Sequence, residues 1–361
     1  MVQKTTLEGL VVRFYKNKKV LVTGATGFKG AWLCLWLDLM GAKVYGIGNN
    51  PNKNKNLFYS LKLHKKINLI LLDVRNFKKL KKFIVLSKPE IIFHMAAQPL
   101  IINSYNNPYQ TYTVNTFGTL NLLQIIKDTN FVKSLVCITS DKCYESNNST
   151  KGFKENDKLG GEDPYSGSKS ASEIIIKTYY KSFFQNKKCG IASARAGNVI
   201  GGGDWSENRL VPDTINSLLK NRTINLRNPN FNRPWQHVLE PLNGYLILGE
   251  KIFKNPKKFS GAWNFGTSKN TVTSVEKIVK YIVRFWGKGK INIKHNRKYY
   301  EQINLQLNIS KSKKILKWEP KYNILKSVQV TVEWYKNILI DKINPEKVTE
   351  NQIQEFMDYE K

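Results

Sequence analysis

The sequence predicts an α/β protein built on a doubly wound parallel sheet, with a smaller C-terminal lobe, and three observations carry that prediction. Short continuous apolar runs recur up to Ala194, the pattern of strands covered on both faces. Apolar residues at helical spacing separate most of these runs. The first run meets a glycine cluster, Gly24-Ala25-Thr26-Gly27-Phe28-Lys29-Gly30, and a helical pattern follows at once.

Taken in order, Lys19 to Thr23 reads as the first strand and Phe28 to Met40 as the first helix after the turn. Further strands are expected at Lys43 to Gly48, Ile67 to Leu72, Ile91 to His94, Ser134 to Thr139 and Cys189 to Ala194. Helices are expected at Asn76 to Leu86, Tyr109 to Lys127 and Ser166 to Phe184. After Asn198 the rhythm changes to Gly201-Gly202-Gly203-Asp204, a helix near Leu210 to Lys220, short strands, and helices beginning near Ser274, Ser310 and Leu325. Residues 1–197 therefore read mainly as the first domain and 198–340 mainly as the second lobe. Asp341 to Lys361 reads as a polar, mobile extension.

The 361 residues carry 58 Lys+Arg against 27 Asp+Glu, a formal net charge of +31, with 41% hydrophobic residues. That apolar content excludes a mainly disordered chain. The charge invites a nucleic-acid reading, but lysines are scattered along the whole chain, interleaved with asparagine at Asn52 to Asn56 and Lys288 to Lys298. This is a compositional bias, with the Lys/Asn-rich patches as loops or solvated helix faces, and no specific nucleic-acid partner is expected. Cys34, Cys137, Cys143 and Cys189 stand singly with no CxxC pair, so they read as reduced, mostly buried thiols and not as metal ligands. No run is long enough to span a bilayer, and Met1 to Lys19 lacks a signal-peptide pattern. A cytoplasmic protein is expected, with no membrane partner.

Three motifs carry chemistry. In the glycine cluster, Gly24 permits a tight turn, Gly27 lets backbone approach a pyrophosphate, Gly30 allows close helix-to-strand packing, and the helix N-terminus offers free N–H groups to an anion. The second strand ends in Asn49 and Asn50. Neutral amides can hydrogen-bond a ribose without repelling a 2′-phosphate, so this position leaves NAD and NADP both open. Asp73-Val74 after the third strand could meet an adenine edge or form a surface turn. The second motif, Tyr165-Ser166-Gly167-Ser168-Lys169, puts Tyr165 and Lys169 on one helix face. A nearby ammonium favours the phenolate, so Tyr165 can serve as a general base while Lys169 reaches a nicotinamide ribose. The third, Thr139-Ser140-Asp141-Lys142, leaves the fifth strand where an open α/β sheet puts its ligands. There Ser140 could bond a sugar hydroxyl, and Asp141 could donate a proton if burial raises its pKa.

These motifs, in this order, resemble the extended short-chain dehydrogenase/reductase family and, within it, the nucleotide-sugar 4,6-dehydratases. The resemblance is carried by Val22 to Leu33, His94 to Ile101, the Asn115 to Thr119 segment, Thr139 to Glu145, Gly160 to Lys169, Ala194 to Trp205, Arg233 to Leu242 and Leu316 to Pro320. It implies a Rossmann-type sheet with a C-terminal substrate-binding lobe, NAD as cofactor and CDP-glucose as substrate. It further implies that Gly24, Thr26, Gly27, Phe28, Lys29, Gly30, Asn49, Asp73, Val74, Ala96, Ala97, Gln98 and Asn115 hold NAD with Tyr165 and Lys169. In the implied reaction Tyr165 takes the proton of the 4-hydroxyl as hydride leaves C4, Asp141 protonates the departing C6 hydroxyl, and hydride returns to C6. Where the dTDP-glucose enzymes have Asp-Glu, this chain has Asp141-Lys142, so Lys142 is either the C5 base or a charge that stabilises the enolate. Asn198, Arg209 and Arg233 would hold the diphosphate, while Ser104 and Tyr105 would face the sugar. Gln236 and His237 read as packing residues. The resemblance also implies a homo-oligomer, a dimer or tetramer. The alternatives are another nucleotide-sugar 4,6-dehydratase, a 4-epimerase, which has no use for an acid at C6, and a silent dinucleotide-binding sensor.

Overall fold

The computed structural model describes residues 7–51, 55–146, 152–226, 229–268, 273–293 and 306–359. Seven strands form one parallel sheet: β1 (Lys19–Thr23), β2 (Lys43–Gly48), β3 (Asn68–Leu71), β4 (Ile91–His94), β5 (Ser134–Ile138), β6 (Gly190–Ala196) and β7 (Gly261–Phe265), in the order β7-β6-β5-β4-β1-β2-β3. The order reverses between β1 and β4, which pair with Val22 beside Phe93, and the crevice at the carboxyl ends of these strands is where such a sheet binds ligands. Side chains along a strand alternate between faces. On β1, Val20 and Val22 accordingly enter one apolar core and Leu21 the other.

Ten helices serve as landmarks: α1 (Leu7–Tyr15), α2 (Phe28–Leu39), α3 (Phe77–Ser87), α4 (Gly118–Lys127), α5 (Pro164–Tyr179), α6 (Leu210–Leu219), α7 (Leu239–Lys254), α8 (Val275–Trp286), α9 (Ile324–Leu339) and α10 (Pro345–Asp358). Helix α2 is buried nearly all round, from Gly30 to Leu37, because it is sandwiched between the sheet and the C-terminal helices. Helix α5 is started by Asp163, whose carboxylate accepts from the Ser166 amide, with Pro164 in the first turn, a strong N-terminal signal.

The six strands and the long helices expected from sequence are present, with two refinements. The segment Tyr109 to Lys127 is broken by a π turn at Thr113–Phe117, where the Asn115 side chain leaves the helix to clasp the Gln98 backbone. The helix near Ser310 shrinks to a five-residue turn, Ser312–Leu316. Strand β7, which the sequence reading passed over, pairs with β6 and completes the main sheet from within the second half of the chain.

The expectation of a mobile C-terminal extension is corrected. Residues Pro345–Asp358 form α10, capped by Asn344 and burying Val348, Ile353 and Phe356. Its apolar residues recur at helical spacing, but their sparseness among polar neighbours hid the amphipathic stripe. The lobe between is assembled from α6, α8 and paired short strands, 224–226 with 291–293 and 232–233 with 273–274. Within the Lys/Asn-rich patches, Asn52 to Asn54 and residues 294–298 lie outside the described residues. All four cysteines are free and buried. Among the described residues, no helix is long and apolar enough to cross a membrane.

Candidate active site

A cleft of about 1100 Å³ runs along the carboxyl edge of the sheet and under the second lobe. Its floor is the turn between β1 and α2. Gly24 has φ +76°, a left-handed conformation that a side chain strains, and a Cβ there would sit 2.8 Å from the Ala96 backbone nitrogen. A Cβ at Gly30 would overlap the Gly24 carbonyl. Gly27 is the N-cap of α2 and no side chain caps that terminus, which leaves its amides available to an anion in the cleft. This cradle fits the pyrophosphate of a dinucleotide.

Thr26, Phe28, Lys29, Asn49, Val74, Ala96 and Ala97 line the same cleft. Thr26 Oγ1 donates to the Asn49 carbonyl at 3.1 Å. Asp73 also lines it, with its carboxylate clasped by Arg75 at 2.6 Å, and that hydrogen bond holds its pKa down. Gln98 and Asn115 lie behind the wall. Asn115 Nδ2 donates to Ser168 Oγ at 2.9 Å, so this residue ties the loop after β4 to α5 and positions both.

Ser140, Asp141, Lys142, Tyr165 and Lys169 converge on the cleft from two directions, the first three from the turn after β5 and the last two from the first turns of α5. Ser140 Oγ donates to Asp141 Oδ1 at 2.9 Å and accepts from the Lys142 amide at 3.2 Å. Asp141 Oδ2 is buried with no hydrogen-bond partner among the described residues. Burial raises the Asp141 pKa, against the pull of Lys142, Ser140 and Arg233, the condition for a carboxyl that donates a proton.

Tyr165 departs from the expectation for a phenolate. Burial pushes it up to about 12, and the groups that pull it down are a hydrogen bond with Ser140 and the charge of Arg209. In the protein alone Tyr165 is therefore a phenol. Lys169 is lowered to about 8 by burial, while the charge of Glu173 one turn on opposes that fall; Lys169 Nζ donates to the Ile138 carbonyl at 3.2 Å. A lysine that is itself hard to charge gives less help to the phenolate than an exposed one.

Beneath these groups lies a network that the sequence reading missed. Glu173 accepts from Thr139 Oγ1 at 2.5 Å, Ser193 Oγ at 2.7 Å and Arg195 Nη2 at 2.7 Å. Arg195 Nη1 in turn donates to Tyr144 OH, 2.7 Å away. The signal in sequence was a carboxylate four residues after Lys169 on an otherwise small and apolar face. Tyr245 was missed too; it accepts from Lys29 Nζ at 2.9 Å. The Lys29 ammonium is lowered to about 7, chiefly by burial and then by Lys169 and Arg209.

On the lobe side, Asn198, Arg209 and Arg233 line the cleft. Arg209 is paired with Asp204 at 3.1 Å. Arg233 is buried, and Nη1 donates to the Asn232 carbonyl at 3.0 Å. Ser104 and Tyr105 are not among the cleft-lining residues: Ser104 is fully buried with Oγ donating to the Ile101 carbonyl, and Tyr105 is 37% exposed. Their helix, Ile101–Asn106, turns these positions away while Ile101, Ile102 and Asn103 line the cleft. Gln236 and His237 are packing residues, with Gln236 Nε2 donating to the Phe265 carbonyl and His237 edge-on to Trp32.

The glycine cradle, the Tyr-Lys helix and the Ser-Asp turn define a short-chain dehydrogenase/reductase of the extended type. The chain belongs to the nucleotide-sugar 4,6-dehydratase family: residues 21–331 match the model of the family described as GDP-mannose 4,6 dehydratase. Among curated relatives, the CDP-glucose 4,6-dehydratase of Salmonella typhimurium is 42% identical over 329 residues, covering 90% of this chain and 92% of that one. The UDP-glucuronate 4-epimerase of Thermodesulfobacterium geofontis is 27% identical, covering 88% and 95%. Among solved structures, dTDP-glucose 4,6-dehydratase from Bacillus anthracis in complex with NAD superposes with a TM-score of 0.74 at 24% identity, covering 88% of this chain and 96% of that one.

Proposed function

We propose that the protein converts CDP-glucose to CDP-4-keto-6-deoxyglucose and water, with NAD as a cofactor that is regenerated in each turnover. The observation that carries this reading is the convergence, in one cleft, of Tyr165 with an unpartnered Asp141 carboxyl oxygen beside the glycine cradle. Identity of 42% to the Salmonella enzyme supports the donor. Residues 1–197 mainly hold the dinucleotide and 198–340 mainly the nucleotide-sugar.

NAD held at the Gly24–Gly30 cradle would supply a reversible hydride acceptor for C4 and the hydride for C6, with C5 taking up a proton as C6 is reduced. Tyr165, which lines the cleft with Ser140, removes the proton of the 4-hydroxyl as C4 is oxidised; Lys169 orients the ribose and lowers the cost of the phenolate. The 4-ketone acidifies C5–H, and Lys142, which lines the same cleft, is either the base for that proton or the charge that stabilises the enolate. Asp141 gives its proton to the C6 hydroxyl, which leaves as water. Asn198, Arg209 and Arg233 hold the diphosphate, for which the planar guanidinium is suited by its fixed charge and paired donors.

A 4-epimerase reading competes, since relatives at 27% identity carry that name. Epimerisation has no departing C6 hydroxyl, so it leaves the buried Asp141 carboxyl without a task. We also propose a homodimer through α4 and α5, where Phe117 and Ile174 are exposed apolar residues on or beside neighbouring helices. The test of function is incubation with CDP-, dTDP-, UDP- and GDP-hexoses, following the alkali-induced absorbance of the 4-keto product. Product from CDP-glucose is expected. Product from dTDP-glucose or GDP-mannose alone would overturn the donor, and no product from any donor would overturn the enzyme reading.

A further inference from the structure

Residues Asp341 to Lys361 take no part in the chemistry above, yet α10 is docked by specific hydrogen bonds, and its contacts lead to the cleft. We propose that α9 and α10 together set the grip on the substrate's diphosphate, with Tyr335 and Thr349 as positioning residues that act through the Gly202–Asp204 turn on Arg209. This deepens the functional reading and rests on it.

The path is continuous. Thr349 Oγ1, on α10, accepts from Trp334 Nε1 at 2.9 Å. The Trp334 ring lies against Gly202, where any Cβ would overlap it. On the other side of the same glycine, Trp32 Nε1 of α2 donates to the Gly202 carbonyl at 3.0 Å, so the turn is held between the C-terminal helices and the helix that begins at the glycine cradle. The next residue on α9, Tyr335, is fully buried and donates its hydroxyl to the Asp204 carbonyl at 2.6 Å. Its ring also meets Trp205 edge-on at 5.2 Å. Asp204 then fixes the arginine: Oδ1 accepts from the Ser206 amide and Oδ2 from Arg209 Nη1, both at 3.1 Å.

Helix α10 is itself fastened from two sides. Gln352 Nε2 donates to the Val330 carbonyl of α9 at 2.9 Å. Phe356 packs edge-on against Trp36 of α2, and Lys66 bridges Asp38, Glu346 and Glu350. A long flexible arginine loses affinity for an anion when it must be ordered at the moment of binding. Holding Asp204 by its backbone and Arg209 by Asp204 settles that order beforehand. The clasp therefore bears on substrate binding, while the charge of Arg209, which also acts on Tyr165, is kept when Tyr335 or Thr349 is changed.

The test compares the full-length enzyme with Tyr335→Phe, Thr349→Val, Arg209→Ala and the Tyr335→Phe/Arg209→Ala pair. The measurements are kcat, KM for CDP-glucose, the dissociation constant of CDP, and NAD affinity. Tyr335→Phe should raise KM and weaken CDP binding about fivefold to tenfold, the scale of one lost buried hydrogen bond, with kcat within about twofold and NAD affinity unchanged. Thr349→Val, at the far end of the path, should move KM in the same direction by less. In the Arg209→Ala background Tyr335→Phe should add nothing, because coupled sites do not sum. Unchanged KM and CDP binding in both single variants while Arg209→Ala weakens binding would overturn the inference alone, as would a fully additive double variant or an equal loss of kcat and NAD affinity. Native KM and CDP binding in Arg209→Ala would instead overturn the diphosphate role of Arg209, and the inference with it.

Discussion

The two walls of the cleft are built in opposite ways. On the dinucleotide side, the cradle is a short contiguous stretch, Gly24 to Gly30, fixed by its own backbone and by strand β4 beside it. On the proposed substrate side, Arg209 at the N-cap of α6 and Arg233 on a two-residue strand line the same cleft from positions held by partners far along the chain, Tyr335 under Asp204 and Thr273 opposite Arg233. The groups proposed to react stand between these walls, on a strand end and the start of a helix, above the network of Glu173 and Arg195. The difference teaches that a local motif can specify a cofactor cradle, whereas a substrate grip is specified by packing.

Four substitutions sharpen that contrast. The largest effect is expected at the reacting groups: Asp141→Asn keeps the shape but not the proton, and kcat for product formation should fall roughly 10²- to 10³-fold. An enzyme within tenfold of wild type by the 4-keto assay would remove Asp141 from the acid role. Next comes the brace. Glu173→Ala leaves Arg195, 3% exposed, as a buried charge without its partner, and denaturant unfolding should show about 3–5 kcal/mol of lost stability. On the substrate wall, Arg233→Ala should raise KM for CDP-glucose about tenfold, close to 1.4 kcal/mol, with NAD binding intact.

The last effect is on the dinucleotide wall and depends on pH. The Lys29 ammonium, lowered from its ordinary 10.5 to about 7 mainly by burial, is costly to carry in the folded protein. Below pH 7 both folded and unfolded chains are protonated there and the cost is present in full. Between about 7 and 10.5 the unfolded chain binds the proton and the folded one releases it, so stability rises with pH. Lys29→Met should accordingly raise the melting temperature most below pH 7, with the advantage fading towards pH 10. An advantage independent of pH would contradict the assignment.

Much of the dinucleotide wall was legible in the sequence, because periodicity and glycine spacing are local signals. Strands β1 to β6, the Gly24 turn and the Tyr165-Lys169 face follow from residues within a few positions of one another. What escaped was decided at long range. Strand β7 is short and joins β6 across more than one intervening helix, and Ser104 and Tyr105 depend on how one small helix is turned. Helix α10 has a sparse apolar stripe that reads as polar until Trp36, Trp334 and Tyr322 are seen to cover it. Tyr165 shows a further limit: the spacing that puts a lysine on its face says nothing of burial, which here pushes the phenol up to about 12.

The central claim is that oxidation at C4, elimination across C5 and C6, and reduction at C6 occur on one hexose held in this cleft. CDP-glucose deuterated at C4, turned over once and analysed by mass spectrometry and NMR, tests it directly. Product carrying that deuterium at C6 of the same sugar is expected. Deuterium retained at C4, or released to solvent with none at C6, would contradict it.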